Sequence, residues 1–208
     1  MTRKNPTVVV VCGSRKPAPG IDRPSAAREL LKPVLAGISD TGATTVQFDL
    51  RKMDIPLFDG RTAEEYDSPD VDRLTAALSN CTAVVFSVPA YWNAPSGPVI
   101  NLLNVLGGAS YDRTPDLPPP YQGKRAAQLV VGADPASGYL AAATFRGSLS
   151  ALGFRVSPHE VVVGNPRSVG NIRVLTAQLR ALGAHAGSGA RDPEEPHSGV
   201  VVAEGTGA

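Results

Sequence analysis

Continuous apolar runs alternate along this chain with stretches in which apolar residues recur every three or four positions. Val8 to Cys12 is an unbroken, mostly β-branched run that ends in Gly13-Ser14. Such a run reads as a strand covered on both faces, the habit of parallel sheets. Ser25 is placed to cap a helix reaching about Ser39, with Leu30, Leu31, Val34, Leu35 and Ile38 at helical spacing and Thr41-Gly42 ending it. Pro33 marks a kink point inside it. Thr44 to Leu50 alternates as a second strand, and Asp70 to Asn80 reads as a short amphipathic helix through Val71, Leu74 and Leu78. Thr82 to Val88 is the third strand, followed by a helix from about Ser96 to Leu106. Arg125 to Gly132 is the fourth strand and Ser137 to Leu152 a long helix. Phe154 to Val163 is the fifth strand, whose Pro158 suits an edge, and Val169 to Leu182 the last helix. Residues 15–24, 51–69 and 107–122 carry no period and read as loops.

Strands and helices therefore alternate five times, which predicts an α/β fold with a doubly wound parallel sheet. For five strands the expected order is 2-1-3-4-5, the flavodoxin-like arrangement, with its switch point between the first and third strands. The loops after residues 12 and 88 then meet at one crevice, where ligands of open α/β sheets bind. Residues 1–183 form one expected domain. From Gly183 the chain turns Gly/Ala/Ser-rich and then reads Asp192-Pro193-Glu194-Glu195-Pro196, so residues 184–208 are expected to be a disordered tail, with Val200-Val201-Val202 able to dock.

Composition narrows the function. With 208 residues, 42% hydrophobic and 19% charged, the chain can bury a substantial core. A formal net charge of +1 argues against a protein that neutralises nucleic-acid phosphates. No apolar run reaches membrane length, and the apolar stretch near the start stops at Cys12, too short for a signal peptide. A cytoplasmic protein with its two cysteines, Cys12 and Cys81, as buried thiols is the expectation. The three histidines, His159, His185 and His197, share no metal-ligand spacing, so no metal site is expected.

Candidate chemistry gathers at the strand ends. Gly13-Ser14-Arg15-Lys16 leads towards Arg23-Pro24-Ser25 at a helix start, where free amides, hydroxyls and cations suit a phosphate; a solvated turn with ordinary capping by Ser25 is the plainer alternative. The chain has no G-x-G-x-x-G after the first strand, no G-x-x-x-x-G-K-[ST] and no G-x-S-x-G elbow. Pro89-Ala90-Tyr91-Trp92-Asn93-Ala94-Pro95-Ser96-Gly97 breaks an apolar strand with aromatic faces and a helix start, which suits a flat ring with polar edges. Trp92, the single tryptophan, reads as a stacking surface, with partly buried lid packing as the alternative, and Tyr91 as a hydrogen-bond donor to a ring edge. Gly132 and Gly138 allow a backbone to approach a ligand closely, or Ser137 simply caps the next helix.

These residues resemble the NADPH-dependent FMN reductase family. The likeness lies in Gly13-Ser14-Arg15, in Pro89-x-Tyr91 followed by Ser96-Gly97 and Asn101-Leu102-Leu103, in Asp54-Ile55-Pro56-Leu57-Phe58-Asp59, and in Gly123-Lys124 before the fourth strand; it spans about residues 7–183. The resemblance implies that the FMN phosphate lies near Ser14, Arg15 and Ser25. Pro89, Ala90, Tyr91, Trp92 and Asn93 would line the isoalloxazine, with Gly132, Ser137 and Gly138 at its other edge. It further implies hydride transfer from NADPH or NADH to FMN and on to a small acceptor, with no side chain serving as essential acid or base. The acceptor is left open between free flavin for a partner monooxygenase and a small quinone or azo compound. A family member diverted to a dedicated biosynthetic step and a flavin-binding electron carrier stand as alternatives. Arg15, Lys16 and Arg23 weakly favour NADPH. Val99-Ile100 and Leu102-Leu103, apolar on more than one helix face, point to a second subunit and hence a homodimer or tetramer.

Overall fold

The computed structural model describes residues 5–17, 24–108, 119, 121–166 and 172–188 and the backbone of 200–203. Strands β1 (Thr7–Cys12), β2 (Thr44–Asp49), β3 (Ala83–Tyr91), β5 (Arg125–Gly132), β6 (Arg155–Gly164) and β7 (Val200–Ala203) form a parallel sheet in the order β2-β1-β3-β5-β6-β7. The two-residue β4 (Ala94–Pro95) pairs antiparallel with the end of β3. The five main strands thus take the expected flavodoxin-like order, and β7 adds a strand outside β6.

Alternation along the buried strands makes two cores. Val9 and Val11 of β1, Val84, Phe86 and Val88 of β3 and Val130 of β5 face one layer, made by α3 (Pro69–Asn80), α4 (Gly97–Gly107) and α5 (Pro135–Ala151). Val8, Val10, Val85, Leu129 and Val163 face the other, made by α1 (Ala26–Glu29), α2 (Leu31–Asp40) and α6 (Ile172–Gly187). Phe86 meets Phe145 and Phe154 edge-on at 5.3 and 6.0 Å, fixing α5 against the sheet centre.

Several elements depart from the periodicity. The helix capped by Ser25 breaks at Leu30, because Pro33 has no N–H for the Glu29 carbonyl four residues before it and its ring crowds that oxygen. Strand β3 runs three residues past Val88, since Pro89-Ala90-Tyr91 find pairing partners in β5 and β4. Helix α5 starts at Pro135 with Asp134 as its cap, the carboxylate accepting from the Ser137 N–H at 2.8 Å, so Ser137 is not the N-cap. Pro158 lies in a register shift of β6 against β5 rather than on a bare edge, and β7 covers Glu160–Val163 on the far side. Helix α6 continues to Gly187, past the boundary drawn at Gly183; residues 167–171, where its start was expected, and 109–118 of the 107–122 loop lie outside the described residues.

Helix α4 is covered in large part within the chain. Val99, Leu102, Leu103 and Leu106 pack into the sheet core, while Val105 packs against Ala63, Tyr66 and Val71. Ile100, by contrast, is only half-buried and lines an open groove with Leu103 and Leu152. The 55–66 segment lies over α4 because the Asn101 amide donates to the Pro56 carbonyl (2.8 Å) and accepts from the Phe58 N–H (2.9 Å).

The same segment carries a pH marker. Arg61 and, second, the Tyr66 hydroxyl bond the Asp59 carboxylate and hold its pKa at about 2 instead of 3.8. A depressed carboxylate supports the fold fully above its ordinary pKa and loses that support as pH falls towards the folded value. The Asp59 carboxyl carbon followed by NMR is expected to titrate near pH 2, and in Arg61→Ala to move back towards its ordinary range.

Candidate functional site

Three connections leave the carboxyl edge of the sheet at the switch point, and they are tied together before any ligand is considered. After β1 the chain turns at Gly13, whose N–H donates to the Ser87 carbonyl at 2.8 Å. A side chain at Gly13 would lie 2.1 Å from Val99 Cγ2 and 2.9 Å from that carbonyl, so only glycine lets the loop lie down against α4. The buried Ser96 hydroxyl donates to the Gly13 carbonyl at 3.1 Å, joining the first loop to the start of α4. Pro17 and Ser25 meet through a Ser25 N–H to Pro17 carbonyl bond of 3.2 Å, which closes the long excursion between them.

Arg28 organises this first loop. Its guanidinium donates to the carbonyls of Ser14 (3.1 Å), Lys16 (2.8 Å) and Pro17 (3.3 Å), and to both oxygens of Asp49 (3.1 and 2.8 Å). The hydrogen bond to Asp49 is the largest influence keeping the guanidinium charged. With these carbonyls turned to Arg28, the Arg15 N–H makes no hydrogen bond among the described residues, while the Ser14 N–H is directed to the Cys12 thiol. Nothing in the sequence singles out Arg28 from an ordinary helix-surface arginine. Replacing it with methionine is expected to loosen the loop and unpair Asp49, with a loss of about 2 kcal/mol in urea unfolding; lysine restores charge but not the fork and recovers little.

After β3 the chain makes a hairpin. Tyr91 pairs with Ala94 and Ala90 with Pro95, leaving Trp92 and Asn93 as a two-residue turn with φ of +52° and +65°. Positive φ at both turn residues is the geometry that matches strand twist in tight hairpins. The Asn93 N–H donates to the Ser137 hydroxyl at 3.3 Å, and the Ser96 N–H to the Pro89 carbonyl at 2.8 Å. After β5, Gly132 runs so close to the start of α5 that a Cβ would meet Asp134 O and Gly138 N at 2.9 Å each.

The three connections enclose a cavity of about 310 Å³, within the range of small-molecule sites. Its wall comprises Ser14, Lys16 and Pro24 to Ala27 on one side, Pro89, Ala90 and Tyr91 on the second, and Val131, Gly132 and Ala133 with Asn165 and Pro166 on the third. Of the residues singled out in the sequence, Ser14, Ser25, Pro89, Ala90, Tyr91 and Gly132 come together here. Arg15 turns instead to a neighbouring groove with Leu50, Ile55, Leu57, Gly97, Pro98 and Asn101. Trp92 and Asn93 sit on the hairpin tip, off the cavity wall, Trp92 being 97% exposed. Ser137 anchors the tip, and Gly138 lets α5 pack on β6, a Cβ there lying 2.6 Å from Val162 Cγ1. Lys16 stands over the Tyr91 ring at 5.4 Å. Asn165 and Pro166 were missed, although an Asn-Pro pair just after a strand is a turn signal at the ligand-binding edge.

Other reactive groups lie elsewhere. Cys12 and Cys81 are buried free thiols, and burial raises both pKa values. His159 and His185 meet with ring centroids 4.2 Å apart, although their sequence spacing gave no sign of it. Among the described residues no group of three or more His, Cys, Asp or Glu side chains is placed to hold a metal, and no helix is long and apolar enough to cross a membrane.

The fold is thus a doubly wound sheet with one cavity wall built from a polar loop after β1 and another from a Pro-aromatic hairpin after β3. The chain belongs to the NADPH-dependent FMN reductase family, whose model matches residues 6–168, and it is an NAD(P)H-dependent FMN oxidoreductase. No curated protein sequence matches it. Among solved structures it is similar to an NADH:FMN oxidoreductase (EMOB) in its apo form, at 17% identity and TM-score 0.66 over 92% of each chain. It is also similar to an NAD(P)H:quinone oxidoreductase from Methanothermobacter marburgensis, at 17% identity and TM-score 0.61, over 89% of this chain and 96% of that one. RosB with a bound 8-demethyl-8-formylriboflavin-5'-phosphate intermediate matches at 16% identity and TM-score 0.64, over 88% of this chain and 77% of that one. At these identities the likeness is one of fold.

Proposed function

We propose that FMN binds in the switch-point cavity and that electrons from NAD(P)H leave it for a small flat acceptor. The observation that carries this reading is the convergence of Ser14, Ser25, Pro89 to Tyr91 and Gly132 on one cavity. The unbonded Arg15 N–H, the Ser14 and Ser25 hydroxyls and the Lys16 cation make the first loop the phosphate end. Pro89, Ala90 and Tyr91 offer the ring an apolar wall, and the close approach of Gly132 keeps its other edge open to backbone contact. Trp92, Asn93, Ser137 and Gly138 act on the ring only through the placing of these walls, and Arg15 serves the phosphate through its backbone.

FMN, when bound, takes a hydride from the nicotinamide and passes two electrons, with protons, to the acceptor. The chain's own residues bind and orient, and no side chain is assigned as acid or base. NADPH and NADH are both accommodated by this reading, with Lys16 the nearest cation for an extra phosphate. The acceptor is a quinone, an azo compound or free flavin handed to a monooxygenase. A cytoplasmic homodimer or tetramer completes the reading. Its support is a groove between α4 and α5 lined by Ile100, Leu103, Asn104, Gly107, Ser148, Ala151 and Leu152, and sedimentation of the purified protein reads it directly.

NAD(P)H oxidation, followed by absorbance with and without added FMN, tests the function. Turnover that rises with FMN and is half-maximal near the FMN dissociation constant is expected. FMN binding without turnover would instead make the protein a carrier or a member with a dedicated substrate.

A further inference from the structure

Trp92 stands where neither the fold nor the turn accounts for it. It is 97% exposed, so its ring contributes no burial to the core. Its φ of +52° is the left-handed region, which Asn, Asp and Gly adopt readily and a bulky residue only at a cost. The position is nevertheless fixed: Tyr91 immediately before it lines the cavity, Asn93 immediately after it is tied to Ser137, and both flanks pair as strands.

We infer that Trp92 is the platform on which a planar aromatic acceptor stacks, and hence a residue that selects flat acceptors over compact ones. The inference rests on the reading that FMN fills the adjoining cavity. An acceptor must reach the flavin ring, which in that reading lies along Pro89 to Tyr91. A flat ring placed there overhangs the hairpin tip, where the indole supplies an aromatic face. The cofactor itself is not the occupant, because Trp92 is off the cavity wall.

The chain has one tryptophan, so intrinsic fluorescence reports this position alone. Titrating the FMN-loaded protein with 1,4-naphthoquinone is expected to give saturable quenching with an unchanged lifetime, at concentrations near its KM. In Trp92→Asn, which suits the turn better, kcat/KM for naphthoquinone relative to ferricyanide is expected to fall about tenfold, through KM. Trp92→Phe is expected to restore most of that ratio, with FMN affinity changed less than about twofold in either variant. An unchanged ratio, or purely collisional quenching, would overturn the proposal. So would a parallel loss of FMN affinity, which would give the indole to the cofactor, or blue-shifted emission of the wild type together with altered sedimentation of Trp92→Asn, which would bury the indole between subunits. If the wild-type protein loaded with FMN oxidises no NAD(P)H even with ferricyanide, the functional reading fails. The quenching titration then still decides the stacking.

Discussion

Replacing Ser14 with aspartate is expected to weaken FMN binding at least about a hundredfold, roughly 2.7 kcal/mol, while the fold persists. Ser14 is buried at the cavity wall, and its hydroxyl accepts only from the Lys16 N–H at 3.2 Å. An aspartate there sets a carboxylate against the phosphate dianion. At about 4 Å and an effective dielectric near 20, each pair of unit charges repels by about 4 kcal/mol, so a hundredfold loss is a conservative expectation. Two controls separate charge from shape. Ser14→Ala removes one hydrogen bond to a charged group and is expected to weaken binding about tenfold. Riboflavin, which lacks the phosphate, is expected to bind Ser14→Asp and wild type alike. Flavin fluorescence titrations read all of these. Equal losses for FMN and riboflavin would mean that Ser14 faces the ring or that the loop has shifted, and the phosphate assignment would fail.

The second large effect lies far from the cavity. Gly37 of α2 and Gly183 of α6 bring the two helix backbones into contact: a Cβ on Gly37 would stand 2.0 Å from the Arg180 carbonyl, and one on Gly183 2.0 Å from the Val34 carbonyl. Neither obstacle is a side chain that can rotate away. Gly37→Val must separate the helices and open the core formed by Leu31, Val34, Ile38, Leu179 and Leu182. A loss of about 3 kcal/mol is expected, at the upper end for overpacking, equivalent to a fall in Tm of roughly 6–12 °C for a chain of this size. The fraction that remains folded should bind FMN with wild-type affinity, because none of these residues reaches the cavity wall. An unchanged Tm would show that α2 and α6 are not packed backbone to backbone.

The strand order was legible because valine runs such as Val8 to Val11 and Val84-Val85 have only one comfortable place, the middle of a parallel sheet, and the alternation of strands with helical periods leaves few topologies. The crevice followed from that order, which is why Ser14, Ser25, Pro89, Ala90, Tyr91 and Gly132 meet as expected. Side-chain direction was not legible in the same way. Arg15 and Ser14 are neighbours in sequence yet line different depressions, and no pattern distinguishes them. Arg28 escaped notice because its partners are three carbonyls and Asp49, groups set by the loop's path and not by any motif. Periodicity along α4 records that a face is covered but not by what. Here the 55–66 segment of the same chain covers it. Trp92 was read as part of the ring wall because strand pairing was expected to end at Val88. Three more paired residues carry the indole past the cavity to the hairpin tip.

The account stands most directly on where FMN sits, and a crystal structure of the FMN complex measures that. The phosphate is expected within hydrogen-bonding distance of the Arg15 N–H and the Ser14 and Ser25 hydroxyls, with the isoalloxazine along Pro89 to Tyr91. FMN in the neighbouring groove of Arg15, Leu57 and Asn101, or with its phosphate away from the first loop, would contradict it.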